Sequence, residues 1–363
     1  MINKLVVENV RHRPVRTLLS IVAIAVQVTM ILTLVGLSRG MLDDQKRRAR
    51  GVGADILVRA PGSSLLGLST NMTAKYLPFV QKQPHVKMAT GVLIQGIGGL
   101  NSVTGLDLDS FNAFNGGFHY LEGGPFTGPD QVIIDQYQAT QYKQKVGDTI
   151  NMLNRSWKVV GVVEPGMLAR VVVPLPVLQE LTANTGKVTV IYIKLDDPAR
   201  TNEVVADLRK KLTDSPIYSM EEYVSLFSVS NVPMIKEFIA IIIGLGILVG
   251  FLVVFLSMYT AVLERTREIG VLKALGASPS YILNILLRET ALLAVCGALL
   301  GILFTYGTRA LIMGLIPGSL IQAIVPDWWP IAGGLAMVGA LLGALYPGWK
   351  AARQDAIEAL AYD

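Results

Sequence analysis

The chain has 363 residues, 52% of them hydrophobic and only 16% charged, with a formal net charge of +5 and a mean hydropathy of +0.48. Soluble domains carry roughly 25% charged residues, so this composition excludes an ordinary soluble protein and points to a membrane. The small positive charge sits mostly near apolar segments, which reads as topology and headgroup contact and not as nucleic-acid binding. The single cysteine, Cys296, lies deep in an apolar run. No internal disulfide can form, and the residue reads as a small buried or lipid-facing one.

In chain order, "MINKLVVENVRHRPVR" places Ile2, Leu5, Val6 and Val10 on one side of a helix, predicting an amphipathic segment over 1–16. A membrane-crossing helix needs about 20 mostly apolar residues, and the first such window, 17–38, runs uncharged between Arg16 and Arg39. It is too long for a signal-peptide core and no A-x-A-like site follows, so an uncleaved anchor is expected. Its one polar line is Gln27, Thr29 and Thr33, which suits interhelical hydrogen bonding or a substrate contact.

Residues 39–237 change character. "DILVRAP", "QVIIDQ", "DTINML", "WKVVGVVE", "VVVPLPVL" and "VTVIYIKL" are β-branched runs bounded by Gly, Pro, Asp and Asn, which predicts strands. "DDPARTNEVVADLRKKL" places Val204, Val205, Leu208 and Leu212 at helical spacing with Pro198 near the first turn, predicting a helix. The mixture predicts an α+β domain, entered through a polar, helix-capable stalk, "SRGMLDDQKRRARG".

Two charged residues bound the second predicted span, 238–263, and a third span is predicted over 289–312. A short loop, 313–327, leads to a fourth over 328–348, which starts at Trp328 and Trp329, an aromatic pair of the kind that anchors at an interface. Residues 349–363 form a tail. Gly246 with Gly250 and Gly297 with Gly301 are small-x-x-x-small pairs suited to close helix packing. The fold expected is therefore a membrane protein of four transmembrane α-helices, with an α+β extracytoplasmic domain inserted between helices 1 and 2.

Lysine and arginine near span ends set orientation. Lys4, Arg11, Arg13 and Arg16 precede the first span, Arg265, Arg267, Lys273 and Arg288 lie in the 264–288 link, and Lys350 and Arg353 follow the fourth span. The 313–327 loop has no basic residue. Both termini and the link are expected in the cytoplasm, and the large domain outside. Lys46, Arg47, Arg48 and Arg50 run against this count, but they open a long domain, which translocates largely regardless of charge.

No catalytic chemistry is legible. His12, His85 and His119 stand far apart, and Asp107 with Asp109 in "GLDLDSF" reads as turn and cap residues. "GIGGLNSVTG" lacks the phosphate-cradle and Rossmann spacings. No nucleophile elbow or zinc-protease motif occurs. No cofactor or metal is expected in this chain.

The link "ERTREIGVLKALGASPSY" carries the most information. As a helix, Ile269, Val271, Leu272 and Leu275 form an apolar stripe, with Glu264, Arg265, Arg267, Glu268 and Lys273 largely away from it. Gly276 supplies a C-terminal stop, and Ser278 with Pro279 starts the next helix. On the residues alone, this helix either lies on the headgroups or is a handle for a soluble partner.

The same segment resembles the signature that follows the second span of MacB/FtsX-type ABC transporter permeases. The N-terminal "MINKLVVENVRHRPVRTLLSI", the large domain after the first span, "LEGGPFTGPDQVIID…KVGDTI…WKVVGVVE", the short 313–327 loop and the ending "YPGWKAARQDAIEALAYD" resemble that family too, although Ala356 stands where proline is common. The resemblance implies a permease dimer, homo- or heteromeric, each copy bound to a separate ABC ATPase subunit that holds ATP and Mg. It implies a coupling helix at Glu264, Arg265, Arg267, Glu268, Ile269, Leu272, Lys273, Leu275 and Gly276, with Arg267 and Glu268 making polar contacts and Ile269 and Leu272 packing on the ATPase. ATP hydrolysis would then move the outer domain (mechanotransmission) to export or extract a substrate from the outer leaflet or periplasm. A periplasmic adaptor and an outer-membrane duct are partners it leaves open. The alternative within the family is an FtsX-like regulator that activates a cell-wall hydrolase without transport; a four-span anchor displaying a sensory domain is a third class.

Overall fold

A computed structural model describes residues 14–63, 70–98, 101–228 and 233–354. The amphipathic pattern of Ile2, Leu5, Val6 and Val10 and the departure at Ala356 lie outside the described residues. The chain forms two compact units. One comprises residues 14–38, 233–311 and 322–354; the other comprises the inserted domain from residue 39 onward together with Ile312–Ile321.

Helix α1, Pro14–Gly51, is one unbroken element that starts in the first unit and ends in the second. Its polar second half stays helical because Asp43–Lys46 and Asp44–Arg47 pair at i,i+3, and Asp44–Arg48 at i,i+4, spacings that place side chains together on one helix face.

In the inserted domain, strands β1 (Ile56–Arg59), β2 (Met72–Thr73), β3 (Val86–Gly98), β4 (Asn101–Leu106) and β5 (Tyr120–Gly123) are joined by helices α2 (Tyr76–Gln81) and α3 (Leu108–Asn115). Then come β6 (Gln131–Asp135), α4 (Gln136–Tyr142), β7 (Thr149–Met152), β8 (Arg155–Val163), β9 (Val171–Pro174) and α5 (Leu175–Leu181). Strands β10 (Lys187–Val188), β11 (Val190–Leu195) and β12 (Ile217–Ser219) follow, with α6 (Thr201–Lys211) between the last two and α7 (Met220–Leu226) at the end. The main sheet runs β12-β1-β11-β3-β4-β9-β6-β8-β5, with β7 paired to β8; the β4/β9 and β6/β8 pairs are parallel.

Successive strand residues face opposite sides, and the core divides accordingly. Leu57 joins Phe111, Phe114 and Phe118 on one side. Ile56 and Val58 join Ile191 and Ile193 on the other, beneath Val204, Val205 and Leu208 of α6. Trp157 centres a third cluster with Val132, Ile134 and Val173. Asp107 caps α3 by accepting from the Ser110 N–H, and His119 is exposed, as their sequence context implies.

The helical unit adds α8 (Pro233–Glu264), α9 (Thr266–Ala274), α10 (Pro279–Leu315) and α11 (Trp329–Arg353) to the first half of α1. Among the described residues, four helices are long and apolar enough to cross a membrane: Thr17–Gly51, Lys236–Glu264, Pro279–Leu315 and Pro326–Arg353. Ile241, Leu245, Leu248, Leu252 and Leu256 lie exposed along one face of α8, as lipid contact requires. On α11, Ala332, Ala336, Ala340 and Ala344 are buried at four-residue spacing. A Cβ at Gly343 would meet the Phe251 carbonyl oxygen of α8 at 2.6 Å, so small residues let these two backbones approach.

Candidate functional site

The 264–278 link is a short helix between two breaks. Helix α8 stops at Glu264, Arg265 leaves helical geometry, and α9 runs Thr266–Ala274. Its end is a Schellman turn: Gly276 adopts φ +91°, its N–H reaches the Lys273 carbonyl at 2.9 Å, and the Ala277 N–H reaches Leu272 at 3.0 Å. The Tyr281 N–H then donates to Ser278 Oγ at 3.3 Å, capping α10 ahead of Pro279.

Burial sorts the residues of this link into two faces. Glu264, Arg267, Glu268, Val271 and Leu275 are exposed, Leu275 at 80%. Leu272 and Lys273 are half-buried, and Lys273 Nζ donates to the Gln354 carbonyl just past the end of α11, a favourable place for a cation. Arg265 and Ile269 turn inward at 7% and 6% exposure. The family resemblance implies a coupling role for both; here Ile269 is buried, and Arg265 Nη1 pairs with Glu289 Oε2 of α10 at 3.1 Å. Glu289 is 2% exposed. A buried charge is costly unless paired, and this pair offsets part of that cost for both residues. Glu289 sits at the mouth of an apolar run, as Arg265 does at the end of the preceding one, and that symmetry was the signal available for the pair.

The glycine pairs are used within the chain. A Cβ at Gly297 would lie 2.7 Å from Ile24 Cβ, and one at Gly301 would lie 2.7 Å from the Ala25 carbonyl oxygen. On α8, a Cβ at Gly246 would lie 2.9 Å from Met30 Cε, and one at Gly250 would overlap Gln27 Oε1. Both α8 and α10 therefore close on α1. Thr29 Oγ1 is 3.0 Å from the Gly301 carbonyl oxygen, and Thr33 and Thr308 share a hydrogen bond of 3.0 Å. Gln27 is buried at 4% exposure, with no hydrogen-bond partner for Nε2 among the described residues. Trp328 and Trp329 are half-buried at the start of α11.

A second polar cluster lies within the inserted domain. Arg170 bonds Asp44 of α1 at 3.0 Å and Asp135 at 2.9 Å, and its guanidinium stacks on Tyr137 at 5.0 Å. All three charged side chains are at most 10% exposed. Asp135 also caps α4 through the Gln138 N–H at 2.7 Å. Burial raises its carboxyl above the usual range, and Arg170 offsets part of that rise. Arg48 Nε lies 3.2 Å from the same Asp44. At the far end of α4, Gln141 accepts from the Gly318 N–H at 2.8 Å and donates to Ser319 Oγ at 3.0 Å. Asp44, Arg170, Asp135, α4, Gln141 and residues 318–319 thus form one continuous polar strut between the end of α1 and the segment that follows α10. Sequence reasoning missed it because Asp44 and Arg170 are 126 positions apart.

Among the described residues, no three His, Cys, Asp or Glu side chains gather as a metal site.

Comparison with known proteins supplies the family. The profile described as a MacB-like periplasmic core domain matches residues 17–211, and that of the FtsX-like permease C-terminal matches residues 240–356. The macrolide export ATP-binding/permease protein MacB of Escherichia coli is 24% identical over 386 residues, covering 96% of this chain and 58% of its own length. The chain thus spans little more than half of that relative. The ABC transporter permease YknZ of Bacillus subtilis is 40% identical over 126 residues, 34% of this chain and 30% of its own. The crystal structure of the periplasmic region of MacB from Actinobacillus actinomycetemcomitans aligns at a TM-score of 0.37 and 14% identity, over 47% of this chain and 92% of that one. Matched by the first profile over more than half its length and by the second from within α8 through α11, the chain belongs to the MacB- and FtsX-like family of ABC transporter permeases.

Proposed function

We propose that this chain is the membrane subunit of an ABC exporter or extractor, working as a dimer with one separate ATPase subunit on each copy. Helix α9 and both termini face the cytoplasm, and the inserted domain stands outside a bacterial cytoplasmic membrane. ATP and magnesium bind on the partner. The observation that carries this reading is the outward face of α9: Arg267, Glu268, Val271 and Leu275 recur at helical spacing, exposed, on a helix held at both ends. Hydrophobic anchors ringed by charge suit a groove on a soluble protein. A slack connection between spans needs neither the Schellman turn nor the Lys273 tie.

Force entering at α9 has two routes to the inserted domain, because α1 and α10 each run unbroken out of the helical unit. The polar strut joins their far ends, so the domain moves as one body. The span 238–263 contains no Asp, Glu, Lys or Arg, whereas pathways for polar solutes keep some. A substrate taken from the outer leaflet or periplasm, hydrophobic or amphipathic, fits such a bundle, and export is the activity in the name of the E. coli relative. The match of 17–211 to the MacB-like core favours transport over an FtsX-like regulatory role.

The test is co-purification of the full chain from its own cells in detergent, with the bound proteins identified and ATP hydrolysis assayed. Wild type is expected to bring down a Walker-motif ATPase, and Glu268→Lys with Leu275→Asp to lose it while staying inserted. A variant that retained the ATPase at the wild-type level would sink the assignment of this face.

A further inference from the structure

We propose that Arg265 and Glu289 form a latch that makes α9 and α10 move together, so that the third span, and not only the first, drives the inserted domain. The proposal rests on the reading that α9 docks an ATPase.

Between α8 and α9 the helix breaks at Arg265, and between α9 and α10 it breaks again at Gly276. A nine-residue helix with a break at each end transmits a push only as far as both joints are fixed, and the Schellman turn fixes the second. The Arg265–Glu289 bond holds the first. It fastens the first break directly to the body of α10, in parallel with the turn at 275–278. Both side chains are at least nine-tenths buried, and Thr266, Ile269, Ile285 and Leu286 beside them are buried too. In such surroundings the attraction is screened little, and pulling the two side chains apart is costly. The joint therefore has one favoured geometry. From Glu289 the same helix continues without a break to Leu315, and its last residues belong with the inserted domain, where Gly318 and Ser319 bond Gln141. A buried pair that served stability alone would need no such placement. This one joins the element that receives force to the element that reaches the domain.

Apolar replacement separates these roles, since exchanging both members of a buried pair for hydrophobic residues is often neutral or stabilising. The test uses the full complex in lipid nanodiscs, in a Cys296→Ala background with a spin label at Lys210→Cys, an exposed position on α6. The distance between labels on the two copies is measured without nucleotide and with vanadate-trapped ATP. Arg265→Met with Glu289→Leu is expected to keep ATPase binding and basal hydrolysis within about twofold, while the nucleotide-dependent distance change falls about tenfold. Charge exchange, Arg265→Glu with Glu289→Arg, restores it. A double apolar variant with the full distance change overturns the latch and leaves the ATPase reading intact. A wild-type complex that binds an ATPase but shows no nucleotide-dependent change overturns the latch together with mechanotransmission, and absence of any bound ATPase overturns the function proposed above.

Discussion

Replacing Arg170 with leucine would remove the centre of the strut. Two bonds disappear, to Asp44 at 3.0 Å and to Asp135 at 2.9 Å, along with the stack on Tyr137. Asp44 keeps Arg47 and Arg48 as partners. Asp135 keeps the Gln138 N–H and the weaker attraction of Arg48. A buried charge left unpaired costs about 3–5 kcal/mol. For a domain of about 150–250 residues each kcal/mol moves the midpoint roughly 2–4 °C, so a loss of about 6–20 °C is expected. Trp157 is the tryptophan of the inserted domain, fully buried, and its fluorescence reports the transition in the full chain. The loss has a defined pH dependence. Burial already raises the folded-state pKa of Asp135 above its unfolded value, so the folded state holds the proton more tightly. Ionising it therefore becomes a growing penalty as pH rises through that raised pKa, and removing Arg170 enlarges the penalty. The gap between variant and wild type should narrow as pH falls through the raised pKa. A midpoint unchanged at neutral pH, or a gap that widens on acidification, would refute the account of the strut.

Gly297→Leu should overpack the crossing of α1 and α10, where even a Cβ comes within 2.7 Å of Ile24. About 1–3 kcal/mol is at stake, read as an earlier loss of the monodisperse peak on heating, and an unchanged peak would contradict the packing. Gly276→Val forces a branched residue to φ +91°, a cost of about 1–2 kcal/mol. Faster deuterium uptake over 266–277 is the expected sign, and equal uptake would show that the turn does not hold α9. Gln141→Leu leaves the Gly318 N–H without its acceptor. Exchange at Gly318 and Ser319 should accelerate about 5- to 30-fold, the factor for 1–2 kcal/mol, while exchange in β3 and β11 stays as it was.

Much of the architecture is legible because its signals are local. Uncharged windows long enough to span, β-branched runs between turn residues, and the Gly276, Ser278, Pro279 punctuation each lie within one stretch of chain. Val204, Val205 and Leu208 form the buried face of α6 for the same reason. What stays hidden depends on residues far apart. Helical spacing groups Ile269 with Leu272 and Leu275, but it cannot tell which side of a short helix meets the bundle; Glu289, 24 positions beyond Arg265, decides that. The continuation of α1 to Gly51 is legible as a helix-capable stalk, but its tie to Arg170 is not, because that residue lies 126 positions from Asp44. Residues 313–327 read as a short loop before the fourth span, yet residues 312–321 group with the inserted domain. Their place with the inserted domain follows from Gln141, 177 positions away from Gly318.

The most direct test of the central claim follows the inserted domain while the ATPase works. With wild-type complex in nanodiscs and labels at Lys210→Cys, distance is recorded against nucleotide state and hydrolysis rate. The account predicts two distance populations whose ratio changes with trapped ATP and returns after hydrolysis. Hydrolysis at the full rate with one unchanging distance would contradict it, leaving a permease whose inserted domain stands still.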